Sequence, residues 1–282
     1  MTTLGDAKKK ALSKLIESKI VDANYELLSL LSYSLRKSEI DIVTEDQLIL
    51  NENQLIIIET NINRRISGEP LSYITTKKIF YNEEFYINNK VLVPRFETEE
   101  LIDIFIKSID KYKVSNKRLL DIGTGSGVIP IIIEKEIPGL EIFAIDISQE
   151  AFEVAKTNIK NKKSKIKLTL EDIKNTKLSN IDFVLSNPPY IKTQLIENLS
   201  EEVKQEPKIA LDGGKYGINV IKEIFNWEKN INKNKASIIL IEIDESIKSK
   251  VKELSEQFYP QMKINFILDL NKNIRFLSVT DF

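Results

Sequence analysis

The first seventy residues carry apolar side chains at helical spacing. Ala11, Leu12, Leu15, Ile16 and Ile20 recur with a period near 3.6 residues. A second set, Leu27, Leu28, Leu30, Leu31 and Leu35, follows Asp22, a residue suited to an N-cap. Thr44-Glu45-Asp46-Gln47 has the spacing of a capping box ahead of Leu48. A further helix, running from Leu55 to Arg65, is expected to stop at Gly68-Glu69-Pro70. The pattern then changes. Lys77 to Tyr81 and Phe85 to Ile87, joined by Asn82-Glu83-Glu84, read as a β-hairpin.

From residue 96 onward, strand-like runs alternate with helical ones, as a doubly wound parallel sheet requires. The strand runs are Leu119–Ile122, Glu141–Ile145, Ile166–Leu170, Ile181–Ser186 and Ser237–Ile243. A helix through Val251 and Leu254 follows the last of these. The two final runs, Met262–Leu268 and Ile274–Val279, have no helix between them and should lie antiparallel. The chain therefore divides into a helical domain over 1–70, a hairpin linker over 71–95 and an α/β domain over 96–282.

Composition narrows the chemistry. The 282 residues exceed the usual size of one domain. There is no cysteine, which excludes disulfides, thiol nucleophiles and cysteine-bound zinc. Histidine is absent too, so histidine-dependent hydrolase triads are impossible and no metal site is expected. Lys8-Lys9-Lys10 precedes an amphipathic pattern, not the apolar block of a signal peptide. The apolar run Val128–Ile133 is far too short to cross a membrane. The expectation is a cytoplasmic protein without a membrane partner.

Two motifs carry the candidate chemistry. Gly123-Thr124-Gly125-Ser126-Gly127 follows the strand that ends at Ile122. Its glycines permit positive φ and close backbone approach, and a helix starting near Val128 would aim its N-terminus at a ligand. The spacing is not that of dinucleotide folds, and the turn alone would be a weak signal. The next strand ends at Asp146, nineteen residues beyond Gly127, where a carboxylate can accept ribose hydroxyls. Another ends at Glu171-Asp172, where an acid can meet an adenine amine. Taken singly, each acid reads as a solvated strand end or a cap; in series they read as a nucleoside-type cofactor site.

The second motif is Asn187-Pro188-Pro189-Tyr190, directly after a strand. An amide or aromatic amine is a poor nucleophile because its lone pair is shared with a π system. Acceptors aimed at its two N–H groups turn that lone pair outward, and the Asn187 oxygen and Pro188 carbonyl suit this task. Pro188 and Pro189 stiffen the loop and remove donors. Tyr190 offers a flat face to a planar target. The pair of motifs, in this order, points to S-adenosylmethionine-dependent methylation of a planar nitrogen. Isolated, the tetrapeptide would read as a rigid turn.

Further stretches extend the pattern: Arg64 to Ile74, Val93-Pro94-Arg95-Phe96-Glu97-Thr98-Glu99, Asp146-Ile147-Ser148, Glu206-Pro207, Ala210 to Gly214, and Asp269-Leu270 with Arg275. In these, and in Asp121 to Gly127 and Asn187 to Ile191, the chain resembles the HemK/PrmC family of glutamine N5-methyltransferases. Phe96, Thr76, Ile79, Asp244, Ile247 and Ile173 depart from the family pattern. The resemblance implies a seven-stranded Rossmann-like S-adenosylmethionine-dependent methyltransferase domain, preceded by a small helical substrate-recognition domain and the hairpin.

It also implies the site. Gly123, Thr124, Gly125, Ser126, Gly127, Asp146, Asp172, Ile173 and Asn187 would bind S-adenosylmethionine, and Asn187, Pro188, Pro189 and Tyr190 would act on the target. Arg95, read from its own position, is either a helix-end or surface charge or a group that organises the site near Glu97. The implied partner is a class 1 peptide chain release factor, methylated on the glutamine of its Gly-Gly-Gln motif. A ribosomal-protein glutamine or a DNA or RNA base amine are alternative targets. Charge argues against nucleic acid: the formal net charge is −1, and residues 1–80 hold as many acidic as basic residues.

Overall fold

The computed structural model describes residues 1–109, 114–233 and 235–281. Two compact units form, Met1–Lys77 with Ser200–Gln205, and Lys78–Leu199 with Glu206–Phe282.

The first unit contains α1 (Leu4–Glu17), α2 (Ala23–Leu35), α3 (Glu39–Thr44), α4 (Glu52–Ile66) and α5 (Leu71–Thr75). Three starts are fixed by reciprocal caps: Thr3 with Asp6, Ser38 with Asp41, and Asn51 with Gln54. Thr44-Glu45-Asp46-Gln47 is not a capping box, because Thr44 is the last residue of α3. The chain after it turns back, with the Leu48 N–H on the Glu45 carbonyl at 2.9 Å, and Leu48 accepts from the Leu4 N–H while Leu50 donates to Thr2. Asp22 occupies the N-cap of α2 but makes no side-chain cap bond.

Leu4, Leu15, Leu30, Leu31, Ile42 and Ile62 fill the core between these helices. Arg65, 6% exposed, ties α4 to α2 through a two-pronged pair with Glu26 at 2.5 and 3.0 Å. Arg65 also reaches Glu202, at 3.0 Å, in the short helix Glu201–Lys204. The α4 helix ends where expected, with Gly68 at φ 92° two residues beyond Ile66.

A hairpin follows, β1 (Lys77–Phe80) and β2 (Glu83–Tyr86), all but its first residue in the second unit. Its turn is Tyr81-Asn82, both at positive φ as a two-residue turn demands, so Glu83 already belongs to β2 and not to the turn. There follow α6 (Phe96–Ile109), β3 (Arg118–Ile122), α7 (Val128–Glu136), β4 (Glu141–Asp146), α8 (Gln149–Lys162), β5 (Lys167–Leu170) and β6 (Phe183–Ser186). Past the helix Glu201–Lys204 (α9) come α10 (Lys208–Leu211), α11 (Asn219–Asn230), β7 (Ile238–Glu242), α12 (Lys248–Phe258), β8 (Lys263–Leu268) and β9 (Ile274–Thr280).

The strands form one seven-stranded sheet in the order β5-β4-β3-β6-β7-β9-β8. The first five run parallel, and β9 inserts antiparallel between β7 and β8. Both faces are covered, which is why the inner strands are apolar without alternation. Leu120, Ile122, Val184, Ile239 and Ile241 meet α11 and α12 on one face. Phe183 faces the other, edge-on to Phe105 of α6 at 5.5 Å. Each such fully buried side chain contributes roughly 1.5–3 kcal/mol.

Chain order reverses between β3 and β6, so the crevice beyond their carboxyl ends is where an open α/β sheet binds ligands. No described helix is long and apolar enough to cross a membrane.

Candidate active site

A cavity of about 490 Å³ opens at that crevice, a size suited to a small molecule. Its walls include Gly123, Thr124, Gly125, Ser126, Asp146, Asp172, Ile173, Asn187 and Pro189. Nine sequence-predicted site residues therefore converge on one space.

The remaining three do not line it. Gly127, at φ 81°, caps α7 and lies against α8, where a Cβ would stand 3.4 Å from the Ala155 Cα. The Pro188 residue is buried. Tyr190 packs on the core beneath, with its hydroxyl 3.3 Å from Glu242 Oε1.

The glycine turn owes its shape to backbone that other residues adopt poorly. Gly123 and Gly125 have φ of 71° and 58°, and a Cβ on either would project into open space. Asn158, buried in α8, pins the turn by donating to the Ser126 carbonyl at 2.8 Å. The same side chain holds the hairpin through the Tyr86 N–H and carbonyl.

Acids surround the turn. Asp146 accepts the N–H of Gly125 at 2.8 Å and of Ser148 at 2.9 Å. Burial raises its pKa, against the pull of these N–H groups. Asp121, fully buried, is pushed up to about 7 by burial, with the Thr124 hydroxyl opposing and Asp146 adding to the rise. Neither Asp121 oxygen makes a well-formed hydrogen bond. Asp172 accepts from the Lys174 N–H at 3.0 Å in a local turn at the cavity edge.

The loop carrying Asn187 is held from two sides. Behind it, Gly213 and Gly217 approach its backbone so closely that a Cβ on Gly213 would fall 2.6 Å from the Pro189 carbonyl oxygen. Ile191 donates to Leu211 at 3.0 Å and accepts from Gly213 at 2.8 Å, an isolated parallel bridge outside the sheet.

Beneath it runs a chain of polar side chains. Asn187 Nδ2 donates to Thr98 Oγ1 at 3.0 Å, and Thr98 Oγ1 donates to Glu242 Oε2 at 2.8 Å. Glu242 closes β7 and is 1% exposed. Burial pushes it up to about 7, opposed by Thr98, Arg275 and Tyr190, with Glu97 adding to the rise.

Sequence reading missed the work of Thr98 and Glu242. The available signal was an acid at the end of the apolar run Ile238-Ile239-Leu240-Ile241, which must find donors once buried. Arg95 pairs with buried Glu206, and Glu206 in turn accepts from the Val93 N–H at 3.4 Å.

Known proteins match along most of this chain. Residues 96–241 match the family model of the methyltransferase small domain, and residues 6–75 that of the PrmC N-terminal domain. The release factor glutamine methyltransferase of Dictyoglomus turgidum is 35% identical over 257 residues, covering 89% of this chain and 88% of that protein. That of Bacillus cereus is 35% identical over 215 residues, covering 74% and 76%. Among solved structures, the hMettl16 catalytic domain in complex with MAT2A 3'UTR hairpin 6 aligns with TM-score 0.54 at 18% identity, covering 83% of this chain and 84% of that one. A methyltransferase from Pyrococcus furiosus aligns with TM-score 0.51 at 17% identity, covering 79% and 97%. These two likenesses concern the fold. The sequence matches establish more: the chain is a methyltransferase and belongs to the release factor glutamine methyltransferase family.

Proposed function

We propose that this enzyme transfers a methyl group from S-adenosylmethionine to the side-chain amide nitrogen, N5, of the glutamine in the Gly-Gly-Gln motif of class 1 peptide chain release factors. It does so in the cytoplasm. The observation that carries the reading is the Asn187 amide on the cavity wall, with its nitrogen engaged by Thr98.

The residues present fit the cofactor. Gly123 and Gly125 leave the cavity free of side chain, so a ligand can rest on bare backbone. Asp146 lies at the end of β4 with carboxylate lone pairs beyond those used by Gly125 and Ser148, enough for ribose hydroxyls. Ile173 offers an apolar surface to the adenine, and Asp172 an acceptor at its edge. When bound, S-adenosylmethionine supplies an electrophilic methyl group with a neutral thioether as leaving group.

The protein supplies alignment. Asn187 Oδ1 and the Pro188 carbonyl accept from the two N–H groups of the target amide, turning its lone pair toward the methyl. Pro188 and Pro189 keep the loop rigid. Tyr190 supports that loop from the core side. Positioning of this kind is worth up to roughly 7–11 kcal/mol. No base is needed, since the amide loses its proton once the new bond has formed.

The test is a panel of acceptors incubated with methyl-labelled S-adenosylmethionine. Label should enter a purified class 1 release factor and should not enter one whose Gly-Gly-Gln glutamine is replaced. Label entering only ribosomal protein, DNA or RNA would overturn the assignment of target.

A further inference from the structure

Asparagine is nearly symmetric in shape, yet its two amide atoms have opposite polarity. With Oδ1 toward the cavity Asn187 accepts from a target NH2; with Nδ2 there it would present donors to donors. Something must choose between them.

We propose that Thr98 and Glu242 are positioning residues that fix the orientation of the Asn187 amide. The inference rests on the reading of Asn187 as the acceptor for the target amide. A threonine hydroxyl has one proton and two lone pairs. Glu242 Oε2 takes the proton at 2.8 Å, and an ionised carboxylate has none to return. Thr98 can then only accept from Asn187, which brings Nδ2 to it at 3.0 Å and leaves Oδ1 free. The second carboxylate oxygen accepts from the Tyr190 hydroxyl at 3.3 Å, so one anion steadies the first and last residues of the motif.

The device is rigidly mounted. Thr98 lies in the first turn of α6 and Glu242 at the end of β7, and they are 3% and 1% exposed. Protonating Glu242 reverses the logic, because it then donates to one partner and frees the Thr98 proton to turn toward Asn187. The charges facing Glu242 are Arg275 on β9, which favours the anion, and Glu97 on α6, which opposes it. Tyr190 is the titratable group on the loop side and stays protonated, its pKa raised by burial.

The experiment uses the full chain with Thr98→Val, Thr98→Ser and Glu242→Gln. Valine keeps the shape and deletes the hydroxyl; serine restores it. Thr98→Val is expected to lower kcat about 10- to 100-fold with cofactor affinity and KM little changed, and Thr98→Ser to recover most of the rate. The wild-type acid limb, near neutral pH, should flatten in Glu242→Gln. A valine variant at full kcat, or a serine variant as impaired as valine, would overturn the proposal. Thr98→Ala replaces valine if the latter fails to fold, and the same outcomes apply.

A second readout is independent of the acceptor. The Asn187 side-chain NH2 signal in a 15N spectrum of the cofactor-free protein should move on Thr98→Val and return on Thr98→Ser. A signal unmoved by valine contradicts the hydrogen bond itself. Wild-type protein that methylates no release factor while this signal responds would fault the assigned target alone.

Discussion

Gly125 donates its backbone N–H to Asp146 Oδ2 at 2.8 Å, so the glycine turn and the acid at the end of β4 act as one piece. Removing the acid strips the turn of an anchor as well as removing an acceptor for the cofactor. Hydrogen bonds to charged groups are worth about 1.5–3 kcal/mol each. Asp146→Ala should therefore weaken S-adenosylmethionine binding by at least about 10-fold, read by titration calorimetry. Unchanged affinity would remove Asp146 from the cofactor site.

Asn187→Ala should divide the kinetic constants differently. Its amide is assigned to the target and not to the ribose or adenine. Loss of one aligned acceptor is expected to lower kcat about 10²- to 10³-fold, with cofactor affinity nearly intact. Single-turnover assays beside calorimetry make the comparison. Equal losses in both would place Asn187 chiefly in cofactor binding.

Gly213→Ala tests the buttress behind the loop. The new Cβ would meet Pro189 O at 2.6 Å and the Cα atoms of Tyr190 and Gly217 at 2.8 Å, all of them backbone. Overpacking of this kind costs about 1–3 kcal/mol. We expect a lower melting temperature together with reduced turnover, since the strain falls on the catalytic loop. A melting curve and rate matching wild type would show that the loop yields without cost.

The buried acids give stability a definite pH dependence. Glu242 rises from 4.5 to about 7, and Asp121 from 3.8 to about 7, chiefly through burial. Between the unfolded and folded values the folded state holds the extra protons, so stability falls as pH rises through that window. Turnover, which needs ionised Glu242, should rise over the same range. Denaturant melts at pH 5 and pH 8 should show wild type losing more stability than Glu242→Gln. An identical loss in both would remove Glu242 as a source.

In the helical unit, Arg65 is nearly enclosed and joined to Glu26 at 2.5 Å. Arg65→Ala leaves Glu26, itself mostly buried, without its partner. The expected cost is about 3–5 kcal/mol, measurable by thermal denaturation. Arg65→Lys should recover only part, because an ammonium cannot reproduce the two-pronged contact.

The sheet was readable because its strands are apolar runs separated by helical ones, with an antiparallel end pair betrayed by a missing helix. What escaped was decided by contacts distant in sequence. The capping box at Thr44 had the right spacing, but Leu48 and Leu50 found partners at the N-terminus of α1. The hairpin turn moved to Tyr81-Asn82, a pair with no glycine to advertise it. Arg95 pairs with Glu206, 111 residues away, and no local pattern encodes that choice.

The glycine turn and Asn187 loop were visible as motifs because each concentrates its chemistry in five residues or fewer. The network beneath Asn187 joins α6, the loop and β7 across 89 and 144 residues. Such a network becomes visible only once the sheet has brought its members together.

The most direct measurement is mass mapping of release factor after incubation with this enzyme and S-adenosylmethionine. A single added methyl is expected in the peptide that contains Gly-Gly-Gln, with fragmentation placing it on the glutamine side chain. A methyl on any other residue, or an unmodified peptide alongside active cofactor turnover, would contradict it.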